Sequence, residues 1–191
     1  AWAIFDRYQL TPSASVAQLL NAAEDETLKP GDPVLAETEC HLVATPKLAL
    51  DAAATEAVKY NVTPIVLGDS IEGEAREVAK VMAGIALHVS RYGQPFPPPV
   101  VLLSGGETTV TVRGNGRGGR NSEFQLAMAL ALEEAEGIWS LAIDTDGIDG
   151  TEDNAGALVS PNTLVRAAER GLHPANMLAD NNGYNFFRSL D

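Results

Sequence analysis

A stretch rich in glycine and arginine, SGGETTVTVRGNGRGGRN, occupies residues 104–121 of this 191-residue chain. Arg113, Arg117 and Arg120 lie there within eight positions, directly before a predicted helix. A helix N-terminus offers unpaired N–H groups and partial positive charge, so loop, arginines and helix together predict a phosphate or carboxylate site. The alternative is a mobile loop whose arginines balance nearby acids.

A second stretch, DTDGIDGTEDNAG at residues 144–156, is acidic and follows a predicted apolar strand. Its acids are Asp144, Asp146, Asp149, Glu152 and Asp153. Loops at the carboxyl ends of strands build the binding sites of open α/β sheets. Packed carboxylates repel one another unless a cation neutralises them, so the stretch predicts Mg²⁺ binding. A solvated acidic turn is an equally good interpretation of this stretch alone.

The two stretches flank one helix and one strand, so we expect them to meet at the same edge of the sheet. Together they hold the groups that phosphoryl transfer needs, which are cations for nucleotide oxygens and carboxylates for metal. A competing interpretation rests on Gly114, Gly116 and Gly119, which match the dinucleotide pattern G-x-G-x-x-G. The preceding TTVTVRG alternates apolar and polar residues, which disfavours that interpretation because the motif follows a buried strand.

The elements that must position these stretches follow an α/β pattern. Three apolar runs separated by helical patterns predict parallel strands covered on both faces. These runs are CHLVAT, VTPIVLG and PVVLLSG. Residues 1–39 predict helices and a polar connector, residues 40–105 a Rossmann-like parallel layer, and residues 106–191 a mixed α/β region.

Finer features are predicted around the two stretches. Ser104–Glu107 is expected to form a turn at a strand end, and TTVTVRG a half-exposed edge strand. The segment from Asn121 predicts a helix that Gly137 ends. The residues expected to cap the last helix are Asn181, Asn182 and Asn185.

Composition narrows the class of protein. The formal net charge of −13 disfavours nucleic acid as a partner. The single cysteine, Cys40, allows no disulfide within the chain and is expected in the core. The sequence contains no apolar run of about 18 residues, so it predicts no membrane span. A cytoplasmic protein is therefore expected, with no membrane partner and with homodimer formation left open.

Several ordered motifs carry a resemblance to a known family. SGGETTVTVRGNGRGGRN continuing as SEFQLAMALAL, then DTDGIDGTEDNAGALV and ADNNGYNFF, resembles the C-terminal MOFRL region of glycerate 2-kinases, also labelled hydroxypyruvate reductases. The upstream LGDSIEGEAREVAKVMAGIA is similar to the family's preceding segment. The resemblance implies a two-domain α/β enzyme that phosphorylates the 2-hydroxyl of D-glycerate with ATP and Mg²⁺ in the cleft between its domains.

The matching positions, with the chemistry of their side chains, define the expected site. Arg120 and Asp146 are the expected catalytic residues, and Arg120 would stabilise charge on the transferred phosphoryl group. The residues expected to bind substrate or phosphate are Gly105, Gly106, Glu107, Arg117, Gly118, Gly119 and Asn121. The expected metal ligands are Asp146, Asp149 and Asp153.

The chain also departs from the family pattern. The large N-terminal domain that looks to supply a catalytic lysine is missing, as is a GPTGTNVND-like segment expected soon after Asp191. Ser122 stands where the family usually has glutamine. We therefore expect a fragment, incomplete at the C-terminus of its MOFRL-type region, with little or no turnover by itself. The alternatives are an NAD(P)H-dependent hydroxypyruvate reductase and a small-anion-binding module without enzymatic activity.

Overall fold

The computed structural model describes residues 1–23 and 27–191, which divide into the compact units Ala1–Val43 and Ala44–Asp191. The first unit contains α1 (Trp2–Arg7), α2 (Ala14–Ala22) and the 3-10 helix η1 (Pro33–Leu35). None of its described residues is buried. Residues 24–26, the acidic part of the predicted polar connector, lie outside the described residues. The division at residues 39 and 105 stays a prediction.

The predicted first strand, CHLVAT, is absent. Residues 40–45 have no regular structure, and Leu42 and Val43 are 83% and 90% exposed. Cys40 is also exposed, so its expected place in the core was wrong. The run forms no strand because no described strand pairs with it. It spans the boundary between the two units.

The second unit begins with a helix and a parallel pair of strands. Its first elements are α3 (Pro46–Lys59), β1 (Thr63–Glu74), α4 (Ala75–Tyr92) and β2 (Val100–Thr109). The Thr45 hydroxyl caps α3 by accepting from the Leu48 N–H at 3.3 Å. Strands β1 and β2 pair in parallel with α4 as the crossover, so the predicted parallel sheet is confirmed with two strands. A Rossmann-like layer stays a prediction.

Strand β2 runs through the region where the sequence predicted a turn and then a new strand. Ser104–Glu107 pairs with β1, so the predicted turn was wrong. Gly106 permits this pairing because glycine has no β-carbon. A β-carbon at this position would overlap the Ile71 backbone. The predicted TTVTVRG strand is also wrong beyond Thr109, where the chain leaves the ladder. The Glu74 carboxylate accepts from the N–H and hydroxyl of Thr111 at 2.9 and 3.0 Å instead.

The rest of the second unit surrounds one helix. Its elements are α5 (Arg120–Leu132), β3 (Ser140–Ile143), β4 (Gly156–Val159), α6 (Thr163–Glu169), α7 (Pro174–Ala179) and α8 (Gly183–Arg188). Strands β3 and β4 pair antiparallel. The sequence did not predict β4, because four residues are too few to show a period. Helix α5 ends at Leu132, before the predicted Gly137.

Helix α5 supplies residues to both hydrophobic clusters of the second unit. In one cluster Ala127 and Met128 pack with Ala79 of α4 and Val159 of β4. In the other, Leu126 packs with buried residues of the C-terminal helices. The chain is therefore a mixed α/β protein whose central helix is held from several sides. No helix within the described residues is long and apolar enough to cross a membrane.

Candidate functional site

The two chemically distinctive stretches meet at the N-terminus of α5. We call residues 113–119 the glycine loop and residues 144–156 the acidic loop. The Asp149 carboxylate accepts from the N–H groups of Asn121 and Ser122, each at 2.8 Å. The two stretches therefore lie together as expected, but one leaves β2 and the other follows β3, which belong to different sheets, so the expected shared edge of one sheet was wrong.

Asp149 closes the N-terminus of α5. Its side chain is fully buried, and its two oxygens are held by the two N–H groups. A negative carboxylate is favourable here because the first turn of a helix carries partial positive charge. Gly119 permits the contact because it has no β-carbon. A β-carbon at this position would overlap the Asp149 carboxylate. The metal role predicted for Asp149 does not fit this buried environment, in which each carboxylate oxygen already accepts a backbone N–H.

The backbone of the glycine loop is bound by the turn at residues 180–182, which we call the asparagine turn. Asn181 Oδ1 accepts from the N–H groups of Arg113 and Gly114 at 2.7 and 3.0 Å. Asp180 accepts from Asn115 and Gly116, both at 2.9 Å, and Asn182 Oδ1 accepts from Arg117 at 3.1 Å. These five N–H groups are already bonded, so the predicted anion site cannot be built from them.

The expected helix-capping role of the asparagines is corrected by the same contacts. Neither Asn181 nor Asn182 caps α8 through its side chain, because both side chains accept from the glycine loop. Close packing also explains the glycines themselves. A β-carbon at Gly114 or Gly116 would overlap the asparagine turn. The G-x-G-x-x-G spacing thus serves packing within the chain, which removes the physical basis of the dinucleotide interpretation.

Arg120 lies between two carboxylates, that of Glu107 inside β2 and that of Asp144 directly after β3. One terminal nitrogen donates to Glu107 Oε1 at 2.6 Å and the other to Asp144 Oδ2 at 2.8 Å. The Arg120 side chain stays 36% exposed. Its hydrogen bond to Glu107 raises the pKa of the guanidinium, against the opposing effect of burial. Burial is the largest effect and raises the pKa of Asp144, but the bond and charge of Arg120 and the bonds from Asp146 together leave the pKa lowered.

Arg117 joins the glycine loop to the acidic loop and to α8. Its guanidinium forms an ion pair with Glu152, and it lies 4.8 Å from the centre of the Tyr184 ring. The Tyr184 hydroxyl donates to Asp153 Oδ1 at 2.5 Å. This bond lowers the pKa of Asp153 and raises the pKa of Tyr184. The side chains of Arg117 and Asp153 are thus held in one cluster.

The expected metal ligands are not brought together. Asp146 is exposed, and its Oδ1 accepts from the Ile148 N–H at 2.8 Å. Asp149 is buried at the N-terminus of α5, and Asp153 accepts a hydrogen bond from Tyr184. Throughout residues 1–23 and 27–191, no group of three or more His, Cys, Asp or Glu side chains could hold a metal ion. The three aspartates therefore do not fit a shared magnesium site.

The remaining expected residues lie at the edges of this arrangement. Gly105 and Gly106 lie inside β2, two residues and one residue before Glu107. The carbonyl of Arg117 accepts from the Tyr184 N–H at 2.9 Å, beside Gly118. Ser122, where the resemblance expects glutamine, is fully buried. Its hydroxyl oxygen accepts from the Gly119 N–H at 2.9 Å.

Sequence reasoning did not predict the contacts that four residues of the site make. These residues are Asp144, Glu152, Asn181 and Tyr184. Asp144 and Glu152 stood among the acids of the second stretch, and the motif ADNNGYNFF contains the other two. The available signal was the joint presence of these motifs, but nothing in their spacing indicated which side chains pair.

This mixed α/β arrangement matches a known class of protein. Residues 100–191 match the MOFRL family, and they include the glycine loop, the acidic loop and the asparagine turn. Residues 100–191 of this chain therefore form a MOFRL family domain. This confirms the resemblance seen in the sequence motifs.

The relatives carry two kinds of name. A "Putative hydroxypyruvate reductase" of Agrobacterium vitis is 47% identical over 193 residues, covering 100% of this chain and 43% of the relative. A "Glycerate 2-kinase" of Pyrococcus horikoshii is 31% identical over 191 residues, covering 98% of this chain and 42% of the relative. A crystal structure of a glycerate kinase from Thermotoga maritima superimposes with a TM-score of 0.79 at 33% identity. That match covers 100% of this chain and 44% of the other. The chain spans less than half the length of these relatives.

Proposed function

We propose that the whole protein to which this chain belongs is a glycerate 2-kinase, which transfers a phosphoryl group from ATP to the 2-hydroxyl of D-glycerate. Relatives and a solved structure named as glycerate kinases support this proposal. The observation that carries it is the partly exposed Arg120 guanidinium, held between Glu107 and Asp144. Because the chain spans less than half of its relatives, further site residues are proposed to come from outside it.

Arg120 is the proposed catalytic cation. An arginine near the transferred group stabilises the negative charge that develops on it. The Asp144 side chain is 17% exposed and fixes one edge of the guanidinium. The Glu107 side chain is 79% exposed, so a phosphate oxygen can replace it as partner at lower cost. We therefore propose that substrate binding exchanges the Glu107 contact and keeps the Asp144 contact.

The other proposed contacts surround Arg120. Gly105, Gly106, Gly118, Gly119 and Asn121 are proposed to border the bound phosphate, with Arg117 near the acidic loop. Asp146 keeps an exposed carboxylate and is the second proposed catalytic residue. Since the aspartates do not form a shared metal site, Mg²⁺ is proposed to arrive with the nucleotide phosphates. Enzymes commonly bind Mg²⁺ in this way, through substrate phosphates and one or two carboxylates.

A hydroxypyruvate reductase is the second candidate, because the relative with 47% identity carries that name. It would need a site for NAD(P)H. The glycines that suggested such a site pack against the asparagine turn, and their neighbouring N–H groups are bonded there. The kinase proposal is therefore favoured. A cytoplasmic location and homodimer formation stay predictions.

The decisive experiment uses a full-length enzyme that contains this sequence. ADP release from ATP and D-glycerate is compared with NADH oxidation by hydroxypyruvate, for wild type, Arg120→Ala and Arg170→Ala. Arg170 is the control because its side chain is exposed and lies outside the site. We expect ATP-dependent ADP release that falls at least ~100-fold in Arg120→Ala, because its transition-state charge stabilisation is lost.

Two results would overturn the proposal, the first its kinase activity and the second the catalytic role of Arg120. One is NADH oxidation that needs no ATP, with no ADP release from D-glycerate. The other is an Arg120→Ala enzyme that unfolds at the same urea concentration as wild type and releases ADP at the wild-type rate. The Arg170→Ala enzyme should match wild type in both assays.

A further inference from the structure

We propose that Asn181 is a positioning residue of this site, which holds the glycine loop in the conformation that orients Arg117 and Arg120. Its effect on catalysis rests on the proposed kinase function. Its effect on the loop does not, because that effect follows from contacts within the chain. The two parts can therefore be tested separately.

The Asn181 amide uses both of its ends. Its Oδ1 accepts from the N–H groups of Arg113 and Gly114, where the glycine loop begins. Its Nδ2 donates to Glu123 Oε2 at 3.1 Å and to the Thr111 carbonyl at 3.3 Å. A side-chain amide offers two acceptor sites and two donors, so this geometry engages its full capacity. The residue is only 6% exposed, so water cannot easily replace these partners.

The carboxylate that accepts from Asn181 Nδ2 belongs to a buried ion pair between Glu123 and Arg76. Glu123 is 3% exposed and accepts from Arg76 Nε at 2.8 Å. The same guanidinium donates to the Leu178 carbonyl, at the end of α7, at 3.1 Å. A buried carboxylate must keep its partners, since leaving it unpaired is costly. Asn181 therefore connects the glycine loop to a rigid contact among α4, α5 and α7.

The backbone at Asn181 suits this role and supplies a clean test. Its φ is +53°, in the left-handed region that asparagine tolerates better than most residues. Glycine adopts the same conformation without strain, so Asn181→Gly removes only the side chain. Asn61 also has a left-handed backbone, with φ +57°, and is exposed outside the network. Asn61→Gly is therefore the matched control.

The consequence for the arginines follows from the path of the chain. The loop starts at Arg113, which Asn181 holds, and leads through Arg117 to Arg120 at the start of α5. Removing the Asn181 contacts frees the start of the loop. The ion pairs of Arg117 and Arg120 persist in part, so these side chains stay nearby without a fixed orientation. We expect a smaller loss of activity than on removing Arg120 itself.

The first measurement is amide hydrogen exchange on the 191-residue chain. In Asn181→Gly, we expect the amides of Arg113 and Gly114 to exchange at least ~10-fold faster than in wild type, because they lose their acceptor. Asn61→Gly should leave both rates unchanged. Unchanged exchange at these two amides in Asn181→Gly would overturn the proposal, whatever the activity of the enzyme.

A charge swap tests the contact with Glu123 directly. Asn181→Asp keeps an acceptor for the loop but places a second carboxylate against Glu123, so the urea midpoint should fall. Adding Glu123→Gln restores a donor between the two side chains and keeps the summed charge unchanged. We expect the double variant to recover at least about half of the lost midpoint. A double variant no better than the sum of its single changes would contradict direct coupling.

The last measurement uses the full-length enzyme. For Asn181→Gly we expect kcat to fall roughly 10-fold with KM for D-glycerate little changed, because orientation affects the transition state more than the ground state. An unchanged kcat would overturn the proposal that Asn181 orients Arg117 and Arg120. If the wild-type enzyme releases no ADP from ATP and D-glycerate, the kinase proposal fails, and the exchange result still decides whether Asn181 holds the loop.

Discussion

At the scale of single residues, burial decides what a carboxylate of the acidic loop can do. Asp149 is fully buried and accepts two backbone N–H bonds at the start of α5. Asp146, three residues earlier, is exposed and accepts one N–H bond within its own turn. The same side chain is thus a structural cap at one position and free to meet a ligand at the other.

This difference predicts that the same substitution has a large effect on stability at Asp149 and a small one at Asp146. Asp149→Asn keeps one acceptor oxygen and turns a donor toward a backbone N–H, so it should lower the free energy of unfolding by about 1–3 kcal/mol. Asp146→Asn is the matched control and should change it by less than about 0.5 kcal/mol. Urea denaturation of the 191-residue chain measures both. Equal effects of the two changes would mean that the cap contributes little.

At the scale of elements, the glycine loop is shaped by close packing. Gly114 and Gly116 lie against the asparagine turn, and Gly119 lies against Asp149. The loop is therefore a rigid connection between β2 and α5, with its backbone bonds directed inward. Its arginine side chains remain the groups that can meet a ligand.

Adding a methyl group tests this packing. Gly119→Ala places a β-carbon in the space of the Asp149 carboxylate, so we expect a loss of about 1–3 kcal/mol in the free energy of unfolding. Gly84→Ala, inside α4 with open space around it, should instead stabilise the chain by about 0.5–1 kcal/mol. Thermal or urea unfolding distinguishes the two. A Gly119→Ala variant as stable as wild type would show that the loop can move aside.

At the scale of the whole molecule, the hydrophobic clusters belong to the second unit. Both clusters consist of residues after Ala44, whereas none of the described residues before it is buried. Burial of apolar surface is the main favourable term in folding. The second unit should therefore carry most of the stability of this chain.

We accordingly expect residues 44–191, expressed alone, to fold with a free energy of unfolding within about 0.5 kcal/mol of the 191-residue chain. Urea denaturation followed by circular dichroism measures the difference. The exchange rates of the Arg113 and Gly114 amides provide a second, local comparison. A loss of about 2 kcal/mol or more would show that residues 1–43 complete the core of this unit.

Secondary structure was predictable where a local pattern was long enough. The apolar runs of β1 and β2, with the amphipathic α4 between them, indicated a parallel pair, and the structure has one. The run CHLVAT looked the same but forms no strand, because strand formation depends on a neighbour that the run itself does not contain. Strand β4 escaped prediction because it has only four residues.

The amino-acid sequence was enough to identify the groups available for chemistry, which are glycines and arginines before one helix, acids after one strand, and motifs typical of the MOFRL family. The contacts between these groups became known from the folded structure. It assigned Asp149 to the start of α5, Arg120 to Glu107 and Asp144, and the loop amides to Asn181. The reason is distance along the chain, since Asn181 lies 68 residues from the Arg113 amide it binds, and no periodic pattern encodes a contact of that range.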